Sequence, residues 1–261
     1  MPGGTDPGLG DGSRVDALNM SRPAADGNRV RVNDLVLVQG MRDTKVTLRN
    51  WNQRRLQVLG PWVAVSFAVA LALLGSVWLV ASLSPADITG VLLPGLEMAP
   101  EAGDYLYVLT RNALVLALHA LACVAGFIAG SSLPLSAAHR SGFDRWVHER
   151  AGRLAIAFVV CATTFSLATQ AYVIGGDAAT LSRQLDISPG LLVLGILPHA
   201  IPELTALFLP LGAWLIASRR GRWEELLAAT VVTVAVAVPV LLLSALVELQ
   251  VSPGLLRALA G

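Results

Sequence analysis

Long apolar blocks separated by short charged ones set the pattern of this chain. The blocks run from about Pro61 to Leu83, Tyr105 to Gly130, Leu154 to Ile174, Leu191 to Ala217 and Leu226 to Leu249. An α-helix needs about 20 mainly apolar residues to cross a bilayer, and each block reaches that length. The pattern predicts an all-α, polytopic transmembrane helix bundle of about five spans. The fourth block is the irregular one. As one continuous helix it would be roughly 40 Å long against a hydrocarbon core of about 30 Å. It also contains Pro198 and Pro202, each of which lacks an N–H and crowds the preceding turn. A proline-broken fourth helix, interrupted between Pro198 and Pro202, is expected.

The flanks divide the chain into an N-terminal extension, residues 1–59, and a transmembrane helical domain, residues 60–261. Residues 1–27 are rich in Gly, Pro, Asp and Ser and read as a disordered tail. Val30 to Val38 leaves a short strand and a helical turn open. From Thr47 to Leu59, Leu48, Trp51 and Leu56 fall near one helical face among Arg49, Arg54 and Arg55; a helix on the membrane surface and a solvated linker fit equally. Between the second and third blocks, Phe143, Trp146, Val147 and Leu154 recur at helical spacing. They predict an interfacial helix or an extension of the third span. A short loop with Asp177, Arg183 and Asp186 is expected before the fourth block, and a short tail after the fifth. No cleavable leader is apparent, so the first block is expected to stay as the first span.

Composition agrees with the pattern. Of 261 residues, 54% are hydrophobic and only 14% charged, and mean hydropathy is +0.63; a soluble domain carries about a quarter charged residues. The net charge of +1 leaves no basic surface for nucleic acid. Positive charge is uneven. Arg42, Lys45, Arg49, Arg54 and Arg55 precede the first span. Arg140, Arg145, Arg150 and Arg153 lie between the second and third, and Arg219, Arg220 and Arg222 between the fourth and fifth. The alternate segments hold only Arg183 and Arg257. By the positive-inside rule the N-terminus is expected in the cytoplasm and the C-terminus outside. Cys123 and Cys161 both fall within spans and are expected as small buried residues rather than as a disulfide or metal motif.

Ionisable side chains at membrane depth are costly and therefore informative. His199 and Glu203 are four apart, which stacks them on one helical face. Arg111 and Asn112 near the outer end of the second span, Gln170 and Tyr172 near that of the third, and Glu248 near that of the fifth fall at a similar depth. Arg111 is the basic residue at that level, so it is expected to pair with Glu203 or Glu248, with Asn112 and His199 completing an intramembrane polar cluster. Simpler readings stay open: Arg111 snorkelling to headgroups, Glu248 solvated at the interface, and His199 bonded to a carbonyl that the prolines release. His119, deeper in its span, is expected as an interhelical contact. Gly126, Gly130 and Gly212 are expected to permit close helix packing and self-association.

No catalytic constellation emerges. His-x-x-x-Glu offers two metal ligands, but there is no His-Glu-x-x-His motif, and His139 and His148 lie in a cytoplasmic loop. Neither a nucleophile elbow nor a phosphate-binding glycine loop is present. No enzyme activity, metal or cofactor is expected.

The segment Ile196-Leu-Pro-His-Ala-Ile-Pro-Glu203, with a small-residue run through Gly212, resembles the Leu-Pro-His-Gly-x-x-Glu segment of the stage II sporulation protein M family of bacterial integral membrane proteins. Arg111-Asn112 resembles the start of another block of that family, with Gly126 or Gly130 matching its glycine, and Glu248 with Pro253 after it also fits. The likeness covers about Pro61 to Leu256. Ala200 replaces the usual glycine, Ser141-Gly142 stands where Asn-Gly is common, and the N-terminal extension is outside the shared pattern. The resemblance implies a non-enzymatic multi-span protein of the bacterial plasma membrane. In spore formers the named member holds peptidoglycan-degrading partners at the septal membrane. The expectation for this chain is a scaffold or assembly protein in the lipid bilayer that recruits cell-wall enzymes or other membrane proteins and forms a homo-oligomer. An ion- or proton-coupled transporter or channel that uses the Glu, His and Arg cluster is the alternative.

Overall fold

The computed structural model describes residues 42–87, 90–91, 95–96, 99–132 and 142–261, without the side chains of residues 131–132, 143–153 and 155. The expected tail at residues 1–27, the segment Val30 to Val38, His139 and Arg140 lie outside the described residues, as do the side chains of Arg145, His148, Arg150 and Arg153. Everything described belongs to one unit, Gly40–Gly261.

Helix follows helix, and no strand occurs among the described residues. A short helix over 42–52, α1, is followed by α2 (Arg55–Leu83) and α3 (Ala102–Phe127), which runs into a π-turn at Ile128–Ser132. Next come α4 (Gly142–Gln184), α5 (Pro189–Leu207) and α6 (Leu209–Arg220). A 3-10 turn at Trp223–Glu225 leads to α7 (Leu226–Gln250) and α8 (Ser252–Ala260). Among the described residues, five stretches are long and apolar enough to cross a membrane: Arg55–Leu83, Ala102–Gly130, Ile156–Gln184, Pro189–Leu207 and Trp223–Ala260. The helical bundle of five spans is as the apolar blocks predict.

Local chemistry explains several ends. Glu101 caps α3 in a capping box, with Asp104 accepting the Glu101 backbone N–H at 2.8 Å. Ser188 caps α5 by accepting the Leu191 N–H at 3.2 Å, ahead of Pro189 in the first turn. Gly221 closes α6 in the left-handed region (φ 66), which suits a residue without a Cβ.

Three expected boundaries shift. α2 starts at Arg55 rather than Pro61, because a proline in the early turns of a helix forfeits little. α4 runs unbroken for 43 residues, roughly 64 Å and about twice the hydrocarbon thickness. Asp177 and Arg183, expected in a loop, therefore continue the helix, and residues 142–154 extend it at the other end. The short tail is instead α8, whose Leu256 is fully buried and sits where a Cβ on Gly195 of α5 would come within 2.6 Å.

The fourth span is broken, but not between Pro198 and Pro202. Both prolines lie inside α5, and the interruption falls at Phe208 (φ −88, ψ 0), two residues ahead of Pro210 in α6. A proline within a helix removes one backbone bond and bends the rod without ending it when neighbours fill in. At Phe208 the neighbours fix the break. The Ser66 hydroxyl of α2 lies 3.0 Å from the Phe208 carbonyl and 2.8 Å from the Trp62 carbonyl of its own helix, sharing one proton between them, and Cys123 of α3 donates to the Pro210 carbonyl at 3.1 Å. Phe208 is fully buried and meets the His119 ring edge-on at 5.4 Å. His119 also bonds the Val115 carbonyl of its own helix at 2.9 Å. The break sends the two halves to different neighbours: α5 packs on α2, α7 and α8, and α6 packs on α2, α3 and α7.

Candidate functional site

His199 and Glu203 project from successive turns of α5, Glu248 from the last turn of α7, and Asn112 from α3. The structure brings His199, Glu203 and Glu248 together: a ring nitrogen and two carboxylate oxygens lie within 4.8 Å of one another. Glu203 is only 6% exposed and Asn112 only 2%, while His199 and Glu248 are half-buried. Oε2 of Glu203, Oε2 of Glu248 and Nδ2 of Asn112 make no hydrogen bond of ordinary length among the described residues, although Asn112 is within reach of Glu203. Leaving a buried polar atom unmatched costs about 1–3 kcal/mol, so three in one cluster require a physical reason.

His199 is oriented by Ser252, which the sequence pattern does not single out. Its Nδ1 lies 2.6 Å from the Ser252 hydroxyl, at the start of α8. That hydroxyl also lies 3.3 Å from the Val247 carbonyl, so in the tautomer with hydrogen on Nδ1 it accepts from the ring and passes its own proton to the carbonyl. Nε2 is then the nitrogen with the free lone pair. The signal in the sequence is faint: a serine before a proline just past the apolar block, 53 positions from its partner.

Arg111 is exposed. Its guanidinium is within electrostatic range of His199, Glu203 and Glu248, but no direct ion pair joins it to either acid among the described residues. Gln170 bonds Ser166 of its own helix at 3.1 Å, and Tyr172 is 73% exposed; neither joins the cluster.

The three glycines are close-approach positions. A Cβ on Gly212 would come 2.5 Å from Ser66 Oγ and 2.7 Å from the Trp62 carbonyl oxygen. On Gly126 it would meet Trp214 Nε1 at 2.6 Å, and on Gly130 it would strike the Trp223 ring. Cys123 is buried as expected, whereas Cys161 is exposed on α4. At the opposite end of the bundle, a cavity of about 480 Å³ is lined by residues that include Trp51, Arg54, Gln57, Trp62 and Arg220. Beside it Arg222 pairs with Glu225.

The family model for stage II sporulation protein M matches residues 153–253. The match takes in His199, Glu203, Glu248 and Ser252; Arg111 and Asn112 lie outside it. No curated protein and no solved structure matches the chain. The match, with five helices among the described residues that are long and apolar enough to cross a membrane, fits a multi-pass membrane protein. Residues 153–253 are thus similar to the stage II sporulation protein M family, a likeness that covers less than half of the chain.

Proposed function

We propose that the protein is a non-enzymatic scaffold of the bacterial plasma membrane that positions cell-envelope partners, among them peptidoglycan-remodelling enzymes, and associates with itself. The N-terminus is taken as cytoplasmic and the C-terminus as external. The supporting observation is the third span. Of the most apolar window of each span, 28%, 28%, 39% and 33% is buried inside the other four, but only 6% in Ile156–Gln184. Lipid covers an apolar helix adequately, so exposure alone decides nothing. The uncovered face of α4, however, carries Ala157, Cys161, Thr164 and Ala168 at the spacing of one helical stripe, and small residues in such a stripe favour helix–helix contact in membranes. Gln170, half-buried on the same helix, bonds only Ser166 among the described residues, which leaves amide groups for a partner helix to satisfy.

A photo-crosslinking residue in place of Ala168, in native membranes, tests this reading. Adducts with cell-envelope proteins or with a second copy are expected, and a control at Leu79 of α2, also exposed, should give lipid alone. Lipid adducts alone at Ala168 would refute it. The second reading, ion- or proton-coupled transport, draws support from the unpartnered carboxylates of Glu203 and Glu248. Cation or proton flux in liposomes, abolished by Glu203→Gln, would favour it.

A further inference from the structure

We propose that His199, Glu203 and Glu248 bind one divalent transition-metal cation, zinc being the best fit, which clamps α5 to α7. The inference goes beyond the scaffold reading and does not rest on it. The three ligand atoms lie within 4.8 Å of one another, whereas neighbouring ligands of a tetrahedral zinc ion are about 3.3 Å apart. Closing that difference is asked of the two flexible carboxylate side chains rather than of the helices.

Three further observations point to a cation rather than to an accidental acidic group. Glu203 is more than nine-tenths buried, and its Oε2, like Oε2 of Glu248, has no partner among the described residues; a cation would satisfy both. Asn112, almost wholly buried, sits within reach of the Glu203 carboxylate, but its Nδ2 makes no hydrogen bond of ordinary length among the described residues. The amide turned about its last torsion presents Oδ1 instead, a third oxygen and fourth ligand for the ion. Finally, His199 Nδ1 lies 2.6 Å from the Ser252 hydroxyl, which fixes the ring orientation, and in the tautomer that donates there Nε2 is left as a ligand. Metal-bound histidines are supported by their second nitrogen in this way.

Charge agrees with this assignment. A neutral imidazole and two carboxylates carry two negative charges, which a divalent ion cancels, and Arg111 stays outside contact distance. One nitrogen with oxygens, and no thiolate, suits zinc, manganese or iron(II) rather than copper(I). Cys123 is engaged elsewhere, at the Pro210 carbonyl.

The test uses the full chain purified in detergent. Elemental analysis of wild type should find close to one zinc, manganese or iron per chain. Glu203→Gln and Glu248→Gln should each fall below about a tenth of that, while Glu225→Gln, at the other end of the bundle, should keep it. Because a variant may fail to fold, wild type is also stripped with chelator and reloaded with cobalt(II). Visible d–d absorption that saturates at one equivalent, and a melting temperature raised by about 5 °C on adding zinc, are expected. Wild type with neither bound metal nor a saturable cobalt spectrum would overturn the proposal. So would folded Glu203→Gln and Glu248→Gln variants that bind as much metal as wild type.

Discussion

Replacing Gly212 by Ala puts the helix-break geometry to its most direct test. The new Cβ would stand 2.7 Å from the Trp62 carbonyl oxygen and 2.5 Å from Ser66 Oγ. Ser66 can rotate away, but it then releases the Phe208 carbonyl at the break, a bond worth about 0.6 kcal/mol in a membrane protein. The Trp62 carbonyl belongs to the backbone of α2 and cannot rotate, so α2 and α6 must separate by about 0.7 Å to restore ordinary contact. Overpacking of this kind costs about 1–3 kcal/mol, for a total near 2–3 kcal/mol. In a chain of this size that lowers the melting temperature by roughly 5–10 °C. The assay is thermal unfolding in one detergent, with Gly75→Ala as control. Gly75 lies on α2 with nothing within 4 Å of its Cβ position, so the control should be neutral or slightly stabilising through helix propensity. If the two variants melt alike, the close crossing of α2 and α6 at Gly212 is wrong.

Other consequences are smaller. Ser66→Ala should lower stability by about 0.6 kcal/mol by the same melt; a loss above about 2 kcal/mol would mean that Ser66 does more than hold the Phe208 carbonyl. Gly126→Ala should cost less than Gly212→Ala, because the atoms it meets belong to the side chains of Trp214 and Leu226 rather than to backbone. Equal or larger destabilisation would show those side chains to be immobile. Oxidative cross-linking in membranes should join two copies through exposed Cys161 and not through buried Cys123. Dimers that persist in Cys161→Ser would remove α4 as the self-association face.

The helical class and the five spans were legible because membrane crossing demands unbroken apolar runs, and such runs show without knowledge of any neighbour. The overshoot of α4 was not legible: hydropathy drops where Asp177 and Arg183 enter, but backbone helicity does not depend on hydropathy and continues to Gln184. The break was assigned to Pro198 and Pro202 because a proline's local effect can be read from sequence. Its true position at Phe208 depends on donors 142 and 87 positions away, at Ser66 and Cys123. Likewise the spacing of His199 and Glu203 revealed their shared face, whereas the Ser252 contact needed α8 folded back over α5. The arginine at the right depth suggested an ion pair, yet depth does not set side-chain direction, and Arg111 faces outward.

The stitched break and the polar cluster share α5 but few other neighbours. Ser66, Cys123 and His119 secure the break, whereas α7 and α8 supply Glu248 and Ser252 to the cluster. Glu203 and Gly212 are nine residues apart, roughly 13 Å along helical backbone, beyond the range at which substitutions usually couple. The destabilisation by Gly212→Ala and any effect of Glu203→Gln should therefore add within about 0.5 kcal/mol. Glu203→Gln and Glu248→Gln should not add, because their carboxylates face one another across 4.8 Å or less and removal of one changes the field and the unmet bonding at the other. Double-mutant melts measure both pairs. Strong coupling between Gly212 and Glu203 would mean that the break transmits strain to the cluster, and α5 would then be a lever rather than a post.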